Sequence, residues 1–316
     1  MKFLQNSAID KLKVVCYNEN TLNDKGVKMK INQIAKISPG QDGAIWKNQL
    51  FRFDDCGKCS VYDLRDIENG ILSPLVPIGS FVLDKSDLIV PHSNAVSWGI
   101  EFFAPGDEYP LLYSNIYNNY ADVNDDLTGV CCVYRVERSC GSFKTTLVQL
   151  IKIGFTDDPL LWKVHKDRSG VRPYGNFVID RDAGYYYAFV MRDEELGTRY
   201  FKFKIPTLLE GEMDETFGVK KVVLTSDDIC DTFDCSYHRF IQGATVHGNR
   251  IYSTEGFNNS AVNRPALRVI EPASKAETMY LDFFETDYKY EPEMIDFYNG
   301  ICYYSDAYGN LYTLEF

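Results

Sequence analysis

Apolar and polar positions alternate along most of this chain in short runs, and Gly, Asn and Asp separate one run from the next. Alternation with a period of two is typical of β-strands with one buried face, whereas a helix needs apolar residues at i, i+3, i+4 and i+7. Almost no window shows the helical spacing. The 22 tyrosines and 20 phenylalanines also favour strands. The pattern therefore predicts an all-β fold.

The alternating runs recur as a hairpin that is found five times. Two copies are clearest, one turning at Gly248-Asn249 and the other at Asn299-Gly300, because such pairs between alternating runs mark two-residue turns. The five copies begin near residues 41, 92, 174, 242 and 291. A repeat of about 40–50 residues is typical of one four-stranded propeller blade, and longer intervals indicate loop insertions. The repeat therefore predicts five blades.

The number of strands also predicts how the ring closes. Each of the first four hairpins is followed by two further strand-like runs, and the second of these in the third blade is residues 221–224. The fifth hairpin is followed by one run only, residues 310–316, while an unmatched run, residues 27–37, precedes the first hairpin. We predict a five-bladed β-propeller of four-stranded blades over residues 27–316, in which this N-terminal strand completes the last blade and removes an exposed sheet edge. Residues 1–26 are predicted to be an extension outside this single domain.

The repeat resembles that of the five-bladed β-propeller superfamily, and the resemblance covers about residues 27–316. The blade starts Gln242-Gly243 and Glu291-Pro292-Glu293 are similar to those of bacterial propellers of the teichoic acid biosynthesis protein C family. Five-bladed glycosidases and phosphorylases share the architecture, but their characteristic acid motifs do not occur in this sequence. Because one fold supports many functions, the resemblance implies an architecture and not an activity.

The amino-acid composition limits the classes of binding partner that this protein can have. The net charge is −12, with 45 acidic and 33 basic residues, which argues against binding to nucleic acid or to an anionic membrane surface. The N-terminus has no apolar core of a signal peptide, and no stretch approaches the roughly 18 apolar residues of a membrane span. Nine cysteines without a signal peptide are typical of reduced thiols. We therefore expect a soluble, cytoplasmic protein.

The starts of the five hairpins are the candidate ligand site. In a propeller the first strand of each blade lines the central channel, so these residues gather at one end of it, which we call the channel mouth. Convergent polar groups in a concave mouth are the first candidates for binding a ligand. The candidate ligand-binding residues are Gln41, Asp42, His92, Asn94, Tyr174, Asn176, Gln242 and Glu293.

Two kinds of chemistry would suit the acidic residues of the mouth. Asp42, Glu291 and Glu293 are candidate catalytic carboxylates, because glycoside hydrolysis uses one carboxyl group as an acid and another as a base or nucleophile. His92 is a candidate general base beside them. Oxygen ligands are also what Ca²⁺ prefers, and no other cofactor is indicated. The calcium ligands would be Asp42, Asn94, Asn176 and Glu293. A third alternative is that these residues only line a narrow, water-filled channel.

Three functions follow from these alternatives. The first is a binding module that holds a glycan or a protein at the channel mouth and its loops. The second is a glycoside hydrolase-like enzyme, which needs its carboxyl groups about 5–10 Å apart in one open pocket. The third is a structural propeller in a larger assembly such as a phage tail. The sequence favours binding, because it contains no strong acid–base constellation, and it indicates neither the ligand nor the oligomeric state.

Overall fold

The computed structural model describes most of the 316 residues as short strands. The described ranges are 19–22, 28–67, 72–89, 91–116, 127, 130–154, 177–193, 196–236, 240–257, 260–284 and 286–316. Within these ranges the only α-helix, α1, is the four-residue segment Ser86–Ile89. The described part of the chain thus has no helix that is long and apolar enough to cross a membrane.

The strands of the described residues form five sheets, in agreement with the predicted all-β class. In chain order they are β1 (Glu19–Leu22), β2 (Lys28–Lys36), β3 (Gly43–Trp46), β4 (Gln49–Phe53), β5 (Lys58–Asp63), β6 (Gly79–Val82), β7 (Val96–Trp98), β8 (Leu112–Asn115), β9 (Val130–Ser139), β10 (Ser142–Ile153), β11 (Phe177–Asp180), β12 (Tyr185–Asp193), β13 (Gly197–Lys204), β14 (Glu212–Asp214), β15 (Val219–Leu224), β16 (Asp231–Cys235), β17 (Ile241–His247), β18 (Arg250–Glu255), β19 (Ala266–Glu271), β20 (Ala276–Asp282), β21 (Pro292–Tyr298), β22 (Ile301–Asp306) and β23 (Asn310–Glu315).

The five sheets are the blades of a ring. Strands β3, β7, β11, β17 and β21 are the inner strands of blades 1 to 5, and each contacts the inner strand of the next blade. The ring is closed, because β21 of the last blade contacts β3 of the first. The structure therefore confirms the predicted five-bladed β-propeller.

The inner hairpins turn where the sequence indicates. Gly248 and Asn249 both have positive φ angles, 56° and 61°, and so do Asn299 and Gly300, at 51° and 75°. Two consecutive positive φ angles define a type I′ turn, whose twist matches that of the strands it joins. These turns set the register of the paired residues next to them, for example Phe297 opposite Cys302 in blade 5.

The last blade is closed by the strand from the other end of the chain, as predicted. Strand β2 pairs antiparallel with β23, and Ile31 lies opposite Leu314. Met29 and Ile31 are buried in the core of this blade with Leu314, so the closing strand is held by packing as well as by backbone hydrogen bonds. Strand β1, from the segment predicted to lie outside the domain, pairs with β2 and adds a fifth strand.

One predicted strand assignment is wrong. Residues 221–224 lie in β15, which pairs in parallel with β10 of blade 2, while the fourth strand of blade 3 is β16. Val222 and Leu224 are buried with Ile151 in the core between these blades. Alternation of apolar positions shows which face of a strand is buried, but it does not show which sheet edge the strand joins. With β14, blade 2 becomes a six-stranded sheet.

A buried carboxylate fastens the inner hairpin of blade 1 to the connection after β5. Asp63 Oδ1 accepts hydrogen bonds from Asn48 Nδ2 at 2.8 Å and from the Arg65 backbone N–H at 2.9 Å. The Arg65 side chain also donates to this carboxylate, and its hydrogen bond is the main cause that holds the pKa of Asp63 well below its usual range. Asp63 therefore favours the folded state when ionised.

We expect Asp63→Asn to lower the free energy of unfolding at pH 7 by about 1–2 kcal/mol. Because the pKa of Asp63 is lower in the folded state, its contribution is present above about pH 4 and is lost as the pH falls below that value. The variant should therefore lose less stability than the wild type between pH 4 and pH 2, measured by urea denaturation. Asp66→Asn, which changes an exposed neighbour, is the control. Parallel stability curves for wild type and Asp63→Asn would contradict this role.

Candidate functional site

The structure brings several of the predicted residues together at the channel mouth and buries them. The exposed fractions are 0% for Asp42, 2% for Glu293, 7% for Gln242 and 8% for Asn94. Gln41 and His92 are half-buried at the same end of the ring. The predicted residues Tyr174 and Asn176 lie outside the described residues. The mouth is thus lined by polar groups, but the side chains of Asp42 and Glu293 are closed off from solvent.

Asp42 joins the inner strands of blades 1 and 2. Its Oδ2 atom accepts a hydrogen bond from the Val96 backbone N–H at 2.8 Å, and its own backbone N–H donates to the Ser93 carbonyl at 3.1 Å. Burial raises the pKa of Asp42 well above its usual range, and the hydrogen bond from the Val96 backbone N–H is the main effect that opposes this rise. One carboxylate oxygen is therefore committed to holding two blades together.

Deeper in the channel, Asp296 does the same for blades 4, 5 and 1. Its Oδ2 accepts from the Ile45 backbone N–H at 2.6 Å, and its Oδ1 accepts from Thr245 Oγ1 at 2.9 Å. Arg181, in the inner turn of blade 3, approaches the same carboxylate with 3.6 Å between Nη2 and Oδ1. Asp296 was not among the residues predicted from the sequence. A signal was present, because an acidic residue sits between apolar residues in a strand predicted to be buried.

A buried arginine lies among the carboxylates of the mouth. Arg52, on β4, is 1% exposed, and its Nη2 donates to the carbonyls of Gly40 at 2.7 Å and Asp306 at 2.9 Å. Burial raises the pKa of Glu293 well above its usual range, and the Arg52 guanidinium is the main group that opposes this rise. Arg52 was also missed, although a charged residue between Phe51 and Phe53 is unusual for a buried strand.

Gln242 and Glu291 bridge blades 4 and 5 at the edge of the mouth. Gln242 Nε2 donates to Glu291 Oε1 and to the Gly256 carbonyl, each at 2.8 Å. His92 lies on the other side of the ring, where burial lowers the pKa of its imidazole and the nearby Asp55 carboxylate opposes this effect. Glu291 is the candidate carboxylate that remains partly accessible to solvent.

This arrangement is poorly suited to glycoside hydrolysis. An acid and base pair must face one open pocket that admits the sugar and a water molecule. Asp42 and Glu293 are almost fully buried, and Asp42 is held by the backbone of the next blade. Of the three candidate carboxylates only Glu291 is partly accessible, so no two of them face one open pocket.

Four exposed aromatic residues stand around the Gln242–Glu291 bridge, and we call them the aromatic rim. Phe240 and Phe257 of blade 4 are 43% and 39% exposed, and their rings stack with centroids 4.9 Å apart. Tyr290 and Tyr308 of blade 5 are 36% and 58% exposed, with centroids 5.0 Å apart at an angle of 70°. Large apolar groups in contact with each other at a surface are typical of binding sites.

The rim was not predicted from the sequence. Phe257 and Tyr308 each lie two residues beyond the end of the second strand of their blades, at equivalent positions after Glu255 and Asp306. Residues just outside a strand have no periodic signal, so only their repetition in blades 4 and 5 could have indicated them. Tyrosines within the strands, such as Tyr186, are buried in the core instead.

The class of the protein is settled by this geometry: the chain is a five-bladed β-propeller. No protein-family model matches the sequence, and no curated protein matches it either. The similarity to teichoic acid biosynthesis protein C propellers thus remains a resemblance of short motifs.

Several solved structures are similar in chain course. Myxococcus xanthus glutaminyl cyclase is 9% identical, with a TM-score of 0.43 over 90% of this chain and 98% of that chain. The WD40 β-propeller domain of Doa1 is also 9% identical, with a TM-score of 0.40 over 91% and 97% of the two chains. The exo-β-1,3-galactanase of Phanerochaete chrysosporium with galactose is 10% identical, with a TM-score of 0.45 over 94% and 64%. None of these likenesses assigns an activity to this chain.

Proposed function

We propose that this protein is a non-catalytic binding module that holds an oligosaccharide across the aromatic rim. The observation that carries the proposal is the pair of exposed aromatic contacts on neighbouring blades, with the Gln242–Glu291 hydrogen bond between them. Aromatic rings offer large, rigid contact area at a low cost in conformational entropy, and the amide and carboxylate groups supply directed hydrogen bonds. An oligosaccharide suits this arrangement of aromatic and polar groups, because its sugar rings have apolar faces and hydroxyl groups at their edges.

The closed mouth supports a binding role in preference to an enzymatic one. Asp42 and Glu293 are buried, so a ligand on the rim would lie above them without contact with the candidate acid and base. The net charge of −12 disfavours nucleic acids, which share the preference for aromatic surfaces. The classes of ligand that remain are a neutral glycan and a polypeptide. The glycan is favoured because a polar bridge separates two small aromatic contacts.

The test is a thermal-shift and calorimetric panel with neutral and acidic oligosaccharides on three proteins. We expect the wild type to bind at least one neutral oligosaccharide, and Phe257→Ser/Tyr308→Ser to weaken that binding at least about tenfold, because each change removes exposed contact area. Phe102→Ser/Phe103→Ser is the matched control, since these two residues are 42% and 46% exposed and lie in the loop after the inner strand of blade 2, at the other end of the channel. All three proteins should unfold at similar temperatures without ligand.

Two results would reject this function. If no saccharide shifts the wild type, and a protein partner instead is retained in a manner that depends on Phe257 and Tyr308, the rim binds a polypeptide. If a saccharide is cleaved and Glu291→Gln abolishes the cleavage, the module is an enzyme. Binding that survives in the rim variant but is lost in the control variant would place the site on the opposite face.

A further inference from the structure

We infer that the channel mouth binds a hard divalent cation of the Ca²⁺ class between blades 1, 4 and 5, with Asp42 Oδ1 and Glu293 Oε2 as ligands. This inference is independent of the proposed saccharide site, because both oxygen atoms lie beneath the surface formed by the aromatic rim. The cation would lie in the interior of the ring, where its ligands are the buried side chains of Asp42 and Glu293.

The first observation is that these two carboxylate oxygens lack a hydrogen-bond donor, although the Arg52 guanidinium is near enough to act on both carboxylates through its charge. Asp42 Oδ1 and Glu293 Oε2 are buried, and none of the described residues donates a hydrogen bond to either atom. By contrast, both oxygens of the nearby Asp306 carboxylate have hydrogen-bond donors. It accepts hydrogen bonds from the backbone N–H groups of Tyr308 and Asn310, from Asn310 Nδ2 and from the Tyr312 hydroxyl. Buried anionic oxygens without donors are costly, so a partner at this position would stabilise the fold.

The second observation is that oxygen atoms converge in front of Gly243, on the inner strand of blade 4. A Cβ atom at this position would lie 2.9 Å from Asp42 Oδ1 and 2.6 Å from the Glu293 carbonyl oxygen. These two oxygens belong to blades 1 and 5, so three blades meet here. The glycine leaves room between them, and oxygens of this kind, carboxylate and carbonyl, are the ligands of Ca²⁺.

The third observation is the balance of charge. Three carboxylates, Asp42, Glu293 and Asp306, surround one guanidinium, that of Arg52, in the interior of the mouth. When all three carboxylates are ionised, two negative charges are in excess, and a divalent cation would balance them. Glu291 at the rim and Asp296 deeper in the channel add to the negative potential. Arg52 is held through Nη2 by the Gly40 and Asp306 carbonyls, and its charge should keep the affinity low, with a Kd of about 10⁻⁴–10⁻³ M.

The experiment uses the full chain, first treated with EDTA and dialysed into chelator-free buffer. Titration with CaCl₂ should raise the melting temperature by at least about 2 °C and then saturate, with MgCl₂ weaker and NaCl at equal ionic strength without effect. Glu293→Gln and Asp42→Asn should each abolish the rise. Asp55→Asn is the matched control, because Asp55 is exposed and forms a group of potential ligands with Asp54 and Cys56 in the turn after β4. It should keep the full response.

Equilibrium dialysis against ⁴⁵Ca²⁺ measures binding to the wild type directly, so this result does not depend on how well the variants fold. One ion per chain, retained by Asp55→Asn and lost by Glu293→Gln, is the expected result. Loss of binding in Asp55→Asn alone would place the ion in the exposed turn and overturn the inference. The absence of bound ⁴⁵Ca²⁺ in the wild type at 5 mM, about five times the weakest expected Kd, would overturn it as well.

Discussion

Replacing Arg52 by methionine is expected to lower the free energy of unfolding by about 3–5 kcal/mol. Methionine fills much of the volume of arginine but carries no charge. The buried carboxylates of Asp42 and Glu293 would lose the guanidinium that compensates them, and the carbonyls of Gly40 and Asp306 would lose their donor. Chemical denaturation at pH 7 measures the loss.

A second substitution separates charge compensation from packing. Arg52→Met/Glu293→Gln removes one buried anion along with the cation, so it should recover at least about 1 kcal/mol of the loss. Arg250→Met is the control, since this arginine is exposed in the hairpin at the opposite end of the channel. If Arg52→Met is no more harmful than Arg250→Met, or if adding Glu293→Gln makes it worse, Arg52 does not act as the counter-ion of the mouth.

Asp296→Ala is expected to cost about 3 kcal/mol, because it leaves a buried backbone N–H and a buried hydroxyl without an acceptor. The groups affected are the Ile45 N–H of blade 1 and the Thr245 hydroxyl of blade 4, so the substitution weakens the contact across the closing point of the ring. The loss should appear as a lower denaturation midpoint. Asp296→Asn keeps one acceptor oxygen, so its denaturation midpoint should lie between those of the wild type and Asp296→Ala.

Hydrogen exchange can locate the effect of Asp296→Ala. The Ile45 amide should lose protection more than the amides of blade 3, because its hydrogen bond crosses from one blade to the next. Asp182→Ala, in the exposed inner turn of blade 3, serves as the control and should leave both unchanged. Uniform loss of protection across all blades would indicate a general destabilisation and would count against a specific role at the closing point.

The fold was largely predictable because its signals are local. Asn299-Gly300 specifies a tight turn through its own backbone preferences, and the surplus strand at residues 27–37 matched the strand missing from the last blade. The partner of β15 was not predictable, because its alternation is compatible with either of two sheet edges. Local chemistry determines that a strand forms, whereas packing between blades determines where it joins.

The sequence indicated that Asp42 and Glu293 lie at the starts of inner strands, but it did not indicate that they are buried there. Asp42 and Glu293 lie at the channel mouth, where the alignment of hairpins put them. Their burial depends on Arg52, from a different strand, and on how closely Gly243 lets the blades approach. Such effects arise from side chains that are distant in sequence. The aromatic rim has the same origin, because its two pairs become neighbours only when blades 4 and 5 stand side by side.

The pairing of β2 with β23 has a consequence for how the molecule is made. Asn32 and Glu315, in hydrogen-bond contact across this pair, are 283 positions apart in the chain. A ribosome delivers β2 before the first blade and β23 after the fourth, so four blades can stack while β2 still lacks its partner β23. Contacts of such long range form slowly, since the entropy of closing the loop must be overcome first. We therefore expect closure of the ring to be the rate-limiting step of folding. Until β23 pairs with it, the unpaired edge of β2 is the surface on which nascent chains would aggregate or need a chaperone.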